Sequence, residues 1–170
     1  MAADPTIRAL ARLPLFHGLT TTQLFEIERR AKPVIYHPGA TIMEENAEGH
    51  AAILILSGEA ARVSGPELKS RREPIPPGAL LGETAMLIEA TYGSTIVARS
   101  HVRALQITRD GLHAHMLADP AIADQLVHNI AQRLTRMAGE LRRIDAVLAG
   151  SDEAFSAPKP THPELPAPVQ

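Results

Sequence analysis

The chain has 170 residues, of which 45% are hydrophobic and 21% are charged, and its formal net charge is −2. This length and composition are typical of one globular domain with a core of its own. The absence of cysteine excludes disulfides and thiolate chemistry, and the 3% aromatic content together with the near-neutral charge argues against a general nucleic-acid-binding surface. Because the sequence has no signal-peptide layout and no apolar run of about 18 residues, we expect a cytoplasmic protein that does not enter a membrane.

Residues 4–32 predict two short helices. Asp4 before Pro5 is typical of a helix start, and apolar residues then recur at helical spacing until Pro14. Thr20 and Gln23 have the spacing of a capping box and predict the start of the second helix.

Residues 33–107 change to short apolar segments separated by glycine, proline and polar residues. Such segments, every eight to twelve residues, are typical of a β-sandwich or barrel. The predicted strands are residues 34–36, 40–43, 51–56, 59–63, 68–75, 80–81, 95–98 and 102–107.

Residues 108–149 predict two further helices, the first capped by Thr108 and the second running over residues 120–149. In the second helix apolar residues follow a 4-3-4-3-4 spacing, which is the seam of a coiled coil and predicts a parallel homodimer. The seam residues are Ile130, Leu134, Met137, Leu141, Ile144 and Leu148. We expect Gly150 to end this helix, and the proline-rich residues 151–170 to form a disordered tail.

Residues 80–98 combine a short strand, a turn at Gly82, a short apolar helix, a polar bend and a second strand. A strand that ends at glycine and starts a helix leaves backbone N–H groups that suit an anion such as phosphate. Glu83 stands at the same corner, where its carboxylate can accept a hydrogen bond from a sugar hydroxyl.

This stretch resembles the phosphate-binding cassette of cyclic nucleotide-binding domains, whose pattern is roughly F-G-E-x-A-L, then an arginine followed by x-A-x-V-x-A. The matching positions are Gly82, Glu83, Ala85, Met86, Leu87, Ile96 and Ala98. The segment L-P-L-F-x-x-L before Thr20 resembles the entry to the same domain. The resemblance implies one α+β, mainly β, domain over residues 1–150, an eight-stranded jelly-roll barrel flanked by N-terminal helices and a long C-terminal helix. It also places turn residues at Gly39, Gly58 and Gly78, with Asn46 in place of a further glycine.

The resemblance implies cAMP or cGMP as candidate ligands and no cofactor. The candidate ligand-binding residues are Gly82, Glu83, Thr84, Ala85, Met86, Tyr92, Gly93, Ser94 and Thr95. Glu83 would hold the ribose 2′-hydroxyl, and the backbone at Gly82, Ala85 and Met86 the phosphate.

One position departs from the family pattern. Tyr92 stands where the family has the arginine that pairs with the phosphate. The nearest arginines in the sequence cannot take its place, because they lie outside residues 80–98; they are Arg71, Arg72 and Arg99. Losing such a pair costs about 1.5–3 kcal/mol, or roughly ten- to a hundredfold in affinity. Gly93 stands where a threonine often accompanies cGMP preference, so the sequence favours neither nucleotide.

Two functions therefore remain open. In the first, the chain is a sensor in which nucleotide capture moves the hinge before the last helix. In the second, it is a degenerate domain that binds no nucleotide and acts as a dimerising interaction module. Either would act through a downstream protein that the sequence does not identify.

An enzyme is not expected. His113 and His115 are two apart on a helix, and the histidines at 37, 50 and 101 are too dispersed for a metal-binding cupin. Transcription factors of the family carry a helix-turn-helix after the long helix, where this sequence has only the proline-rich tail, so DNA binding is not expected either.

Overall fold

The computed structural model describes residues 4–64 and 71–154, which form five α-helices and ten β-strands. The helices are α1 (Pro5–Ala11), α2 (Thr21–Arg30), α3 (Glu83–Leu87), α4 (Arg109–Ala118) and α5 (Pro120–Ala154), with a 3-10 turn at Pro14–Phe16. The first five strands are β1 (Lys32–Tyr36), β2 (Thr41–Met43), β3 (Glu48–Gly49), β4 (Ala51–Ser57) and β5 (Ala60–Ser64). The others are β6 (Arg71–Ile75), β7 (Leu80–Leu81), β8 (Ala90–Thr91), β9 (Thr95–Ala98) and β10 (Val102–Thr108).

The strands form two four-stranded sheets, ordered β1-β10-β4-β7 and β2-β9-β5-β6, and a two-stranded sheet of β3 and β8. All the pairings are antiparallel. Strand β4 lies inside the first sheet and is buried on both faces. Ile53 and Ile55 pack in a cluster with residues of the second sheet, whereas Leu54 packs in a second cluster with residues of the helices. This double burial explains the uninterrupted apolar run of β4.

The predicted helix starts are confirmed. The carboxylate of Asp4 accepts a hydrogen bond from the amide of Thr6, and Thr20 and Gln23 form both bonds of a capping box. The hydroxyl of Thr108 accepts from the amide of Gly111 at the start of α4. Asn46 adopts a left-handed conformation with φ of 65°, as expected for the residue that replaces a turn glycine.

The α+β class is confirmed, with four corrections. More of the described residues are helical than extended, because α5 alone has 35 residues. The strands of the described residues form separate sheets rather than a closed barrel, and β3 and β8 lie in segments that the sequence did not predict as strands. Helix α5 continues through Gly150 to Ala154, since one interior glycine costs a helix only about 1 kcal/mol. Part of the predicted strand 68–75 and residues 155–170 of the predicted tail lie outside the described residues.

The chain divides into two compact units, residues 1–130 and 131–170, so the division falls within α5. In the first unit Ile122 and Leu126 are fully buried, and Ile130 packs partly buried against the same core. In the second unit the remaining seam residues are all at least half exposed, namely Leu134, Met137, Leu141, Ile144 and Leu148. None of the helices in the described part of the chain has the length and apolar character that a membrane span requires.

Candidate functional site

A glycine corner lies at the centre of the candidate site. Strand β7 pairs with Ile53 and Leu54 of β4 and is followed by Gly82, whose φ of 67° and ψ of 29° place it in the left-handed region. A Cβ atom added to Gly82 would lie 2.8 Å from Met43 Cε and 2.8 Å from Tyr92 Cε1. The corner therefore requires glycine both for its backbone conformation and for its space.

The corner and the loop after β8 face each other across a pocket of about 210 Å³. Seven of the nine predicted ligand-binding residues line this pocket, namely Gly82, Glu83, Thr84, Ala85, Tyr92, Gly93 and Ser94. The other two have different roles. The side chain of Met86 is fully buried in the core beneath the helices, and the hydroxyl of Thr95 accepts a hydrogen bond from the amide of Glu45 over 3.0 Å.

Tyr92 belongs to the framework of the pocket. Its hydroxyl donates to the carbonyl oxygen of Ala51 over 3.0 Å, and its amide donates to the carbonyl of Ala47 over 3.0 Å. Its own carbonyl accepts from the amide of Asn46 over 2.9 Å. Because a phenol has one O–H donor and Ala51 already accepts it, the Tyr92 hydroxyl cannot at the same time donate to a phosphate.

The short sheet of β3 and β8 holds this loop in place. Glu48 pairs with Thr91 and Gly49 pairs with Ala90. A Cβ on Gly49 would lie only 2.5 Å from Ala85 Cβ, so this glycine allows β3 to pass directly over α3.

A cation that the sequence did not point to lines the same pocket. Arg62 of β5 is the one arginine, lysine or histidine among the described residues that surround it. Arg62 precedes Gly82 by twenty residues, and only the pairing of β5 with β9, in which Arg62 lies opposite Ile96, brings it to the pocket. No local motif marks such a residue, because the strand pairing is formed by the fold.

Helix α4 is bonded directly to α3. The guanidinium of Arg109 donates to the carbonyl oxygens of Gly49 and Ile88, each over 3.2 Å, and to that of Ala85 over 3.5 Å. The imidazole of His113 donates to the carbonyl of Leu87 over 2.9 Å. These bonds fix the C-terminal end of α3 against the start of α4.

The histidines of α4 serve two different contacts. Whereas His113 bonds to α3, the buried His115 lies 3.3 Å from the carbonyl oxygen of Gln23 in α2. In the described part of the chain no three His, Cys, Asp or Glu side chains converge as a metal site would require.

Tyr36 is the second tyrosine of this region. It packs, partly buried, against the same cluster between the sheets as Tyr92. Burial, and secondarily the charge that Tyr92 would carry if ionised, raises the pKa of the Tyr36 phenol above its ordinary value. The Tyr36 phenol is therefore neutral at physiological pH.

Comparison with known protein families gives one match that spans just over half of the chain. The family model for the cyclic nucleotide-binding domain matches residues 33–119. A CRP-like cAMP-activated global transcriptional regulator of Mycobacterium tuberculosis is 27% identical over 131 residues, which cover 75% of this chain and 58% of that protein. A cAMP-dependent protein kinase regulatory subunit of Aspergillus fumigatus is 33% identical over 106 residues, covering 60% of this chain and 24% of that protein. The chain thus spans well under two thirds of the length of these relatives.

Solved structures share the fold. The N-terminal domain of a transcriptional regulator from Streptomyces coelicolor superposes with a TM-score of 0.72 at 22% identity, over 78% of this chain and 94% of that one. The Thermus thermophilus catabolite activator protein superposes with a TM-score of 0.61 at 26% identity, over 78% of this chain and 63% of that one. The family match, the fold and the glycine corner agree, and the chain belongs to the cyclic nucleotide-binding domain family.

Proposed function

We propose that this chain is a regulatory module without catalytic activity that binds cAMP or cGMP in the pocket at Gly82 and Glu83. The observation that carries the proposal is the convergence of seven residues of the family's cassette on one pocket of about 210 Å³. The names of two relatives, one cAMP-activated and one cAMP-dependent, support the choice of ligand.

In the proposed complex, each side of the ligand has a partner in the pocket. The carboxylate of Glu83 accepts a hydrogen bond from the ribose 2′-hydroxyl, and Gly82, which lacks a side chain, lets the phosphate approach the backbone. The backbone at Gly82, Ala85 and Met86 holds the phosphate. The amide of Ala85, which donates to the carbonyl of Gly82 over 3.0 Å, shares its hydrogen between that carbonyl and the phosphate.

The bonds between α3 and α4 provide a path from the ligand to the C-terminal helices. A nucleotide that draws α3 toward the pocket also displaces the carbonyls that Arg109 and His113 hold. Only Asp119 separates α4 from α5, so a shift of α4 also changes the preferred position of the start of α5.

A second candidate function follows from Tyr92. Its hydroxyl is bonded to Ala51, and it occupies the position of the family's phosphate-pairing arginine. This arrangement favours a domain that has kept the fold and lost the ligand, and that serves as a dimerising interaction module.

Both functions include a homodimer through α5. The seam residues from Leu134 to Leu148 are apolar, spaced by three and four residues, and exposed. Such a stripe is covered when two copies pair as a coiled coil.

Calorimetric titration of the purified chain with cAMP and cGMP separates the two functions. The sensor predicts saturable binding of at least one of the two nucleotides, and Glu83→Ala should abolish this binding. Circular dichroism of both proteins confirms that the fold is retained. If the wild type binds neither nucleotide at millimolar concentration with its fold intact, the sensor is wrong and the interaction module remains.

A further inference from the structure

Arg62 occupies a position from which it can reach a bound anion. It lies in β5, opposite Ile96 of β9 on one side and Glu73 of β6 on the other. Residues directly opposite each other in an antiparallel pair project from the same face of the sheet, and both Arg62 and Ile96 line the pocket. An arginine therefore lines the pocket although its cassette has none.

In the structure this guanidinium has an exchangeable partner. Arg62 Nη1 lies 2.8 Å from Glu73 Oε2, and the side chains of the two residues are 44% and 68% exposed. An ion pair this exposed contributes little to stability, because water solvates both charges when the pair is broken. Arg62 can therefore exchange Glu73 for another anion at small cost.

We propose that Arg62 supplies the positive charge for the cyclic phosphate that Tyr92 does not, by leaving Glu73 when the nucleotide binds. The proposal rests on the proposed nucleotide-binding function and names the phosphate-pairing residue of that site. A guanidinium donates through two parallel N–H groups that match two phosphate oxygens, which makes arginine better suited to this task than lysine. In this arrangement Tyr92 supports the wall of the pocket, and Arg62 of β5 binds the phosphate.

The exchange predicts opposite effects for the two partners of the ion pair. Arg62→Gln removes the phosphate's cation and should weaken cAMP binding by about ten- to a hundredfold. Glu73→Gln removes the competing carboxylate and should strengthen cAMP binding by about two- to fivefold. Arg62→Lys keeps the charge and should lose less affinity than Arg62→Gln.

The test is calorimetric titration of the full chain with cAMP at low and high NaCl concentration, for the wild type and these variants. Arg103→Gln serves as the control, since Arg103 is an exposed arginine in β10 of the other sheet. A charge pair is screened by salt, so the wild-type affinity should fall with added NaCl and the affinity of Arg62→Gln should fall less. Circular dichroism shows whether each variant is folded. If Arg62→Gln does not fold, the cAMP affinity of Glu73→Gln still tests the proposal.

A selective loss in Arg62→Gln, with reduced salt dependence and a gain in Glu73→Gln, supports the proposal. If the wild type binds cAMP and Arg62→Gln binds it equally well, this inference is overturned and nucleotide binding stands. A loss with unchanged salt dependence overturns it too, because the contact would then be uncharged. If the wild type binds neither cAMP nor cGMP, this inference and the proposed nucleotide binding are both overturned.

Discussion

The hydroxyl of Tyr92 donates a hydrogen bond to the carbonyl oxygen of Ala51 over 3.0 Å, which ties the loop after β8 to the first residue of β4. The two residues are 41 apart in sequence, and Ala51 is fully buried. The side chain of Tyr92 thus supports the wall of the pocket.

Tyr92→Phe should lower the free energy of unfolding by about 0.5–1.5 kcal/mol, because the buried carbonyl of Ala51 loses its donor. Nucleotide affinity should stay unchanged, since the hydroxyl is bonded to the protein. Urea denaturation measures the first quantity and calorimetry the second. A variant of unchanged stability that binds cAMP more weakly would show that the hydroxyl serves the ligand instead.

Gly82→Ala should lower the free energy of unfolding by at least about 1–2 kcal/mol, because alanine is strained in the left-handed conformation. Its Cβ would also press against Met43 and Tyr92. Gly93→Ala is the matched control in the same pocket, since nothing lies within 4 Å of a Cβ added there. Equal stability of the two variants in urea would contradict the prediction.

Arg109→Gln should lower the free energy of unfolding by about 1.5–3 kcal/mol, since three carbonyl oxygens lose a charged donor. The loss should be accompanied by faster amide hydrogen exchange in α3, because its C-terminal end is no longer held by α4. Arg103→Gln again controls for the removal of a surface charge. Unchanged exchange in α3 would mean that Arg109 does not hold the helix.

Leu141→Asp should convert a dimer into a monomer, because it places a charge in the centre of the α5 seam. Ala146→Asp is the control, since this exposed residue lies on the same helix away from the seam. Light scattering after gel filtration gives the mass of each protein. A wild type that elutes as a monomer at tens of micromolar would rule out the dimer.

The sequence predicts the parts of this fold that depend on neighbouring residues. The helix caps Asp4 and Thr20 bond to backbone amides no more than three residues away. A left-handed turn depends only on a residue that tolerates a positive φ, such as Gly82 or Asn46. The uninterrupted apolar run of β4 also identifies a buried strand, because both of its faces are covered.

The parts that the sequence does not predict depend on distant pairing. Strands β3 and β8 have two residues each, too few to show any periodicity, and they form because the fold brings Gly49 beside Ala90 and Glu48 beside Thr91. Arg62 lies in β5, which the sequence predicts only as one of several short strands, and its place in the site depends on the register of β5 against β9. The bond from Tyr92 to Ala51 likewise joins residues that are 41 apart in sequence and adjacent only in the folded chain.

Tyr36 and Tyr92 both pack against the hydrophobic cluster between the two sheets, and this has a consequence for the fluorescence of the protein. The chain contains no tryptophan and two tyrosines, so its near-ultraviolet fluorescence comes from these two rings. One of them lines the pocket and the other packs on the same cluster. Tyr92 is therefore an unlabelled probe at the wall of the candidate site, and the intensity of tyrosine emission should respond to changes at that wall without any introduced dye.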